Sequence, residues 1–101
     1  LKQYDAEDDL TGALALGLIG DANMELNDKE EALNYYKKAV SYDNNEFTAP
    51  MFMKKAAFAY EQLGDWKSAI ELYQKIQSDY NTSNEGREVE KYIARASAMV
   101  K

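Results

Sequence analysis

Residues 63–77 read LGDWKSAIELYQKIQ, and residues 26–40, thirty-seven positions upstream, read LNDKEEALNYYKKAV. At that offset Leu26 matches Leu63, Asp28 matches Asp65, Ala32 matches Ala69, Tyr36 matches Tyr73 and Lys38 matches Lys75, while Leu33 faces the similar Ile70. Five identities in fifteen at one register exceed what two unrelated amphipathic helices share, so the chain repeats itself. The residues kept are those that build a helix-turn-helix: a turn-and-cap Asp, a small Ala for close helix approach, and a Tyr beside it to fill the gap.

Working outward, each echo has a helix in front of it. PMFMKKAAFAYEQLG follows Thr48, an expected N-cap, carries Pro50 in its first turn, and stops at Gly64, an expected C′ residue. Asp65 then caps a helix expected over about Trp66–Tyr80, and Asp28 with Glu31 three residues on has capping-box spacing. The first unit's leading helix is expected from about Leu10 to Leu26. After the turn NTSNEG (Asn81–Gly86), with Thr82 and Glu85 again at capping-box spacing, Val89, Tyr92, Ile93, Ala96 and Val100 mark one face of a fifth helix. No period-two run of β-branched residues occurs, so the fold class is all-α: antiparallel helix-turn-helix repeats in one domain.

Composition narrows the chemistry. The 101 residues suit a single core, and 46% apolar with 30% charged content is that of a soluble globular chain. Twelve basic against eighteen acidic residues leave a net charge of −6, which repels a phosphate backbone and argues against nucleic acid. Cys and His are both absent, removing thiol chemistry, zinc–thiolate sites and the commonest general base. No phosphate loop, nucleophile elbow or metal-ligand spacing occurs, so catalytic, cofactor-binding and metal residues are all expected to be none. Glu30/Glu31, the acidic run YDAEDD (Tyr4–Asp9) and the Lys54–Lys55 pair read as solvated surface, and Trp66 and Tyr73 as core rather than a cation cage. The longest apolar run, GALALGLIG (Gly12–Gly20), is about half a bilayer span, so this segment is not expected to insert in a membrane. The chain opens on Leu1, as a segment cut from a longer protein would.

Two helices joined by Gly-Asp, with Ala and Tyr at fixed distances, resemble the tetratricopeptide repeat. In that family's frame the first unit runs over Ala13–Glu46, with Gly20, Ala32, Tyr36 and Ala39 at the packing positions. The second runs over Pro50–Ser83, with Ala57, Tyr60, Ala69 and Tyr73. The 37-residue offset sets FTA (Phe47–Ala49) between them as an insertion, Asn23 replaces the usual aromatic, and Asn44 and Asn81 replace the usual closing Pro. The expected organisation is therefore an α-solenoid of two repeats with a cap: an acidic lead-in (1–9), repeat 1 (10–46), linker and repeat 2 (47–83), and a capping helix (84–101) turning Glu88, Lys91 and Arg95 outward.

The resemblance implies a non-catalytic protein–protein interaction module in which the first helices of the repeats line a concave groove for a peptide or partner helix. Carried over by position, the groove comprises Leu14, Gly17, Leu18, Asp21, Met24 and Glu25 from the first unit, with Met51, Lys54, Lys55, Phe58, Glu61 and Gln62 from the second. The Lys/Asn pair with which co-chaperone members hold a C-terminal carboxylate is missing: Gly17 and Asp21 occupy those positions in the first unit, and Lys54 and Phe58 in the second. Two other roles are expected alternatives. The apolar end around Leu10, Leu14 and Leu18 would join copies into a homo-oligomer or complete a longer array. NEFTAP with its Met-rich helix and the closing EGREVEKYIARA are similar to membrane-anchored repeat proteins of the bacterial envelope, implying a chaperone-like accessory role there.

Overall fold

The computed structural model describes residues 6–42 and 48–100, with side chains from residue 11 onward. Five helices follow one another: α1 (Ala6–Glu25), α2 (Lys29–Tyr42), α3 (Thr48–Gln62), α4 (Trp66–Asp79) and α5 (Asn84–Met99). No strand occurs among the described residues. α1 opens four residues ahead of the expected Leu10. Residues 1–5 of the acidic run, Asn44 and the insertion's Phe47 lie outside the described residues. Thr48, expected as a cap, is already the first residue of α3.

The two repeat turns are built alike. In the second, Gly64 takes φ = 81° and the Asp65 N–H bonds back to the Tyr60 carbonyl at 2.9 Å, closing the helix in a Schellman motif. In the first, Asn27 stands where Gly64 stands and takes φ = 65°, with the Asp28 N–H on the Asn23 carbonyl at 2.8 Å. Asn tolerates this left-handed conformation better than other residues with a Cβ. That bond uses the N–H which a capping box would have offered to Glu31, and Glu31 instead accepts from Asn34 Nδ2 at 3.2 Å. Asp65 caps α4 as expected, accepting from Ser68 N (3.2 Å) and Ser68 Oγ (2.8 Å). For α5 the cap is Ser83, not Thr82: its extended backbone aims Oγ at Gly86 N, 2.9 Å away.

Each helix packs antiparallel on the next, and α3 also meets both α1 and α5, so these three form one layer and α2 and α4 the other. The extents, 52 × 32 × 18 Å, match two helix layers in the thinnest direction. Two cores result. Ala13, Ala32, Leu33, Tyr36, Ala39, Phe52, Ala56 and Ala59 fill the first. Met53, Ala57, Ala69, Tyr73, Ile76 and Val89 fill the second, and Val40, Tyr60 and Leu72 join the two. The small residues at the crossings admit the rings: a Cβ on Gly17 would stand 2.1 Å from the Phe52 ring, and one on Gly20 2.7 Å from the Tyr36 ring. Asn23, set where an aromatic was expected, turns its Nδ2 back to the Ile19 carbonyl at 3.0 Å.

Candidate functional site

The layer of α1, α3 and α5 carries a row of side chains at helical spacing: Leu14, Leu18, Asp21 and Glu25 on α1, then Met51, Lys55, Phe58 and Gln62 on α3. Leu14 is 40% exposed, Leu18 67% and Phe58 44%. Glu25 and Gln62 are exposed, while Asp21, Met24, Met51, Lys54 and Lys55 are half-buried. Met24 and Met51 lean on the first core. Two of the expected groove residues are not available to a partner. Gly17 is buried beneath Phe52, and Glu61 is buried with its carboxylate fully engaged.

Two trios tie the layer together. Asp21 of α1 accepts from Tyr36 Oη of α2 at 2.5 Å and from Lys55 Nζ of α3 at 2.9 and 3.0 Å. Glu61 of α3 accepts from Tyr73 Oη of α4 at 2.5 Å and from Arg95 Nη2 of α5 at 2.8 Å on both oxygens. The tyrosines are repeat equivalents, so each buried phenol finds a carboxylate from the other layer, which in turn holds a cation on the next helix. No described side-chain polar atom is left buried without a partner. The trios therefore fix α1, α3 and α5 side by side and stiffen the exposed row. Lys54–Lys55 is thus not a solvated pair: Lys55 bonds Asp21, and Lys54 lies 5.1 Å from the centroid of the Tyr92 ring. Arg95, expected to point outward, reaches back to Glu61. Tyr73 is core, as expected, stacked on Tyr92 at 5.7 Å, whereas Trp66 is only half-buried at the start of α4.

Burial raises the phenol of Tyr36 above its ordinary value, and the hydrogen bond and charge of Asp21 raise it further. Burial and Glu61 do the same for Tyr73, with Arg95 opposing. The folded chain thus keeps two protons that the unfolded chain releases near pH ~10. Their stabilising effect is fully present below that pH and is lost as pH rises toward the higher folded values, by up to about 1.4 kcal/mol per pH unit for each phenol. Urea melts on either side of pH ~10, read with tyrosinate absorbance, should show the Tyr36 and Tyr73 phenols ionising only on unfolding. Tyr36→Phe with Tyr73→Phe isolates the two phenols by removing their share of the slope.

Both acid–cation pairs are 34 residues apart, but Asp21 and Glu61 stand off the 37-residue register of the repeat, so the sequence does not mark the trios, nor Tyr92, which gathers cations on α5. The opposite layer offers a cleft of about 340 Å³ between α2 and α4, floored by Val40, Met53, Ala56 and Leu72 and edged by Lys37, Lys75 and Asp79. Among the described residues no group of Cys, Asp and Glu could hold a metal ion, and no helix is long and apolar enough to cross a membrane.

Paired antiparallel helices stacked in two layers, each turn a copy of the other, define an α-helical repeat protein. Models of the tetratricopeptide repeat match residues 13–46 and 55–83, and the chain belongs to that family. The first match coincides with the unit expected from the sequence. The second ends at the expected Ser83 and begins five residues inside the expected Pro50. Such repeats are generally protein–protein interaction modules and typically non-catalytic. No curated protein shows significant similarity to the chain.

Proposed function

We propose that the chain binds a peptide or helix of another protein across the face formed by α1, α3 and α5. The observation that carries this reading is the exposed apolar row Leu14, Leu18 and Phe58, held on a layer that the two trios make rigid. A preorganised apolar row with charges at its sides binds without a large ordering cost. Met51 can adapt its shape to the ligand beside Phe58. Glu61 then acts by holding Arg95 and Tyr73, not by meeting the partner. Phe58→Ala with Met51→Ala should abolish binding of a display-selected peptide, measured by calorimetry, while urea melts show a stability loss of no more than about 2 kcal/mol. Unchanged affinity in a folded double variant would remove this face from the reading.

A specific observation also favours assembly. In α3 the residues Phe52, Ala56 and Ala59 are buried against α2, whereas their repeat equivalents in α1, Ala15, Ile19 and Ala22, are exposed. The first repeat therefore leaves open the face that, in the second repeat, α2 covers. On this reading sedimentation of the chain shows concentration-dependent association that Ile19→Glu abolishes. A monomer at high concentration would remove it.

A further inference from the structure

The face proposed above is not uniform from one end to the other, and its unevenness specifies the chemistry of a ligand. At the α1 end it offers Leu14 and Leu18. In the middle, Asp21 and Lys55 neutralise each other. At the α5 end three cations converge on one ring: Lys54 Nζ, Lys91 Nζ and the Arg95 guanidinium lie 5.1, 5.2 and 5.1 Å from the centroid of Tyr92. Two acids pair with these cations: Glu61, consumed by Arg95 and Tyr73, and Glu88, which reaches Lys91 only at 4.0 Å. Three positive charges against two negative ones make this the cationic end of a face on a chain of net charge −6. Phe58 stands beside it, one turn from Lys54 and one turn from Glu61 on α3.

Resting on the proposed binding face, we infer that its α5 end is a subsite for acidic side chains, and that the partner is a segment with aliphatic residues at one end and an Asp or Glu pair at the other. The Tyr92 ring attracts the cations to its face and is itself braced by stacking on buried Tyr73. Arg95 is anchored by Glu61, so Lys54 and Lys91 are the two cations with hydrogen-bonding capacity to spare. An acidic pair docked there completes the charge, and aliphatic residues then fall on Met51 and Leu18. The same asymmetry sets the direction in which the segment lies, since reversal would put its acids against Leu14, Leu18 and Glu25.

The test uses two synthetic peptides blocked at both termini, so that no terminal carboxylate contributes. Each has leucines at i, i+4 near one end, with Asp-Glu at the other end in the first peptide and Asn-Gln in the second. Amide shifts followed by NMR should map the acidic peptide to Leu18, Phe58, Lys54, Lys91 and Arg95, and at low salt it should bind about tenfold more tightly than the amide peptide. Lys54→Glu with Lys91→Glu should remove that preference. Equal affinity of the two peptides on the same wild-type residues would overturn the acidic subsite and leave the apolar face standing. Absence of shifts on α1 and α3 with either peptide would overturn the binding face itself. The comparison on the wild-type chain decides the question even where the double variant fails to fold.

Discussion

Replacing Glu61 with alanine is expected to destabilise the fold by about 2–4 kcal/mol, more than any other single change of a charged residue. The carboxylate is 6% exposed as a residue and serves two donors, the buried Tyr73 phenol and the Arg95 guanidinium. Its removal leaves the phenol without an acceptor in the second core and frees the cation that pins α5 to α3. Glu61→Gln keeps an acceptor in place and should cost less. Asp21→Ala should also cost less, although the geometry of its trio is the same, because its ion pair with Lys55 is 38–39% exposed and water replaces what is lost. Urea denaturation of the three variants checks the order. Equal losses at Asp21 and Glu61 would show that burial does not set the strength of these trios.

Gly86→Ala should be nearly as damaging, with a loss of about 2–4 kcal/mol and a fall in Tm of at least roughly 10 °C. The position is in the first turn of α5, where helix propensity by itself favours Ala by about 1 kcal/mol, so the sign of the effect is diagnostic. A Cβ there would stand 2.0 Å from the Tyr80 carbonyl oxygen, 2.8 Å from its carbon and 2.9 Å from Asn81 Cα, all backbone atoms that no rotamer change can move. Room can be made only by opening the turn, which breaks the Ser83 cap on Gly86 N and the Tyr80 contacts of Ser83. Gly17→Ala provides the contrast. Its Cβ meets a Phe52 ring that can tilt, and the gain in helix propensity offsets part of the strain. A Gly86→Ala protein as stable as the parent would mean that this turn adjusts freely.

Much of the fold is legible along the chain because its cues are local. The 37-residue echo, the left-handed residue at Gly64, the Asp65 cap and the apolar stripe of α5 depend on neighbours within a turn or two. Where two local cues compete, the backbone chooses. Thr82 and Ser83 are both capable caps, and only the extended conformation at Ser83 aims its hydroxyl at the helix. The Schellman bond at Asp28 similarly deprives Glu31 of the N–H that a capping box would have used.

The site was less legible for a physical reason. Helical spacing places Leu18, Phe58 and Glu61 on comparable faces but says nothing of what lies across from each. Glu61 reads as a groove residue in its own helix. It becomes an interior one because Tyr73 and Arg95, 12 and 34 residues away, arrive at the same point. Tyr92 reads as part of the apolar face of α5 and Lys91 as outward-facing, until α5 closes on α3 and Lys54 joins them on one ring. Repetition, capping and helix class are short-range properties of this chain, written in the order of its residues. Which charges are spent inside and which remain at the surface depends on contacts between helices far apart in sequence, and packing alone brings those together.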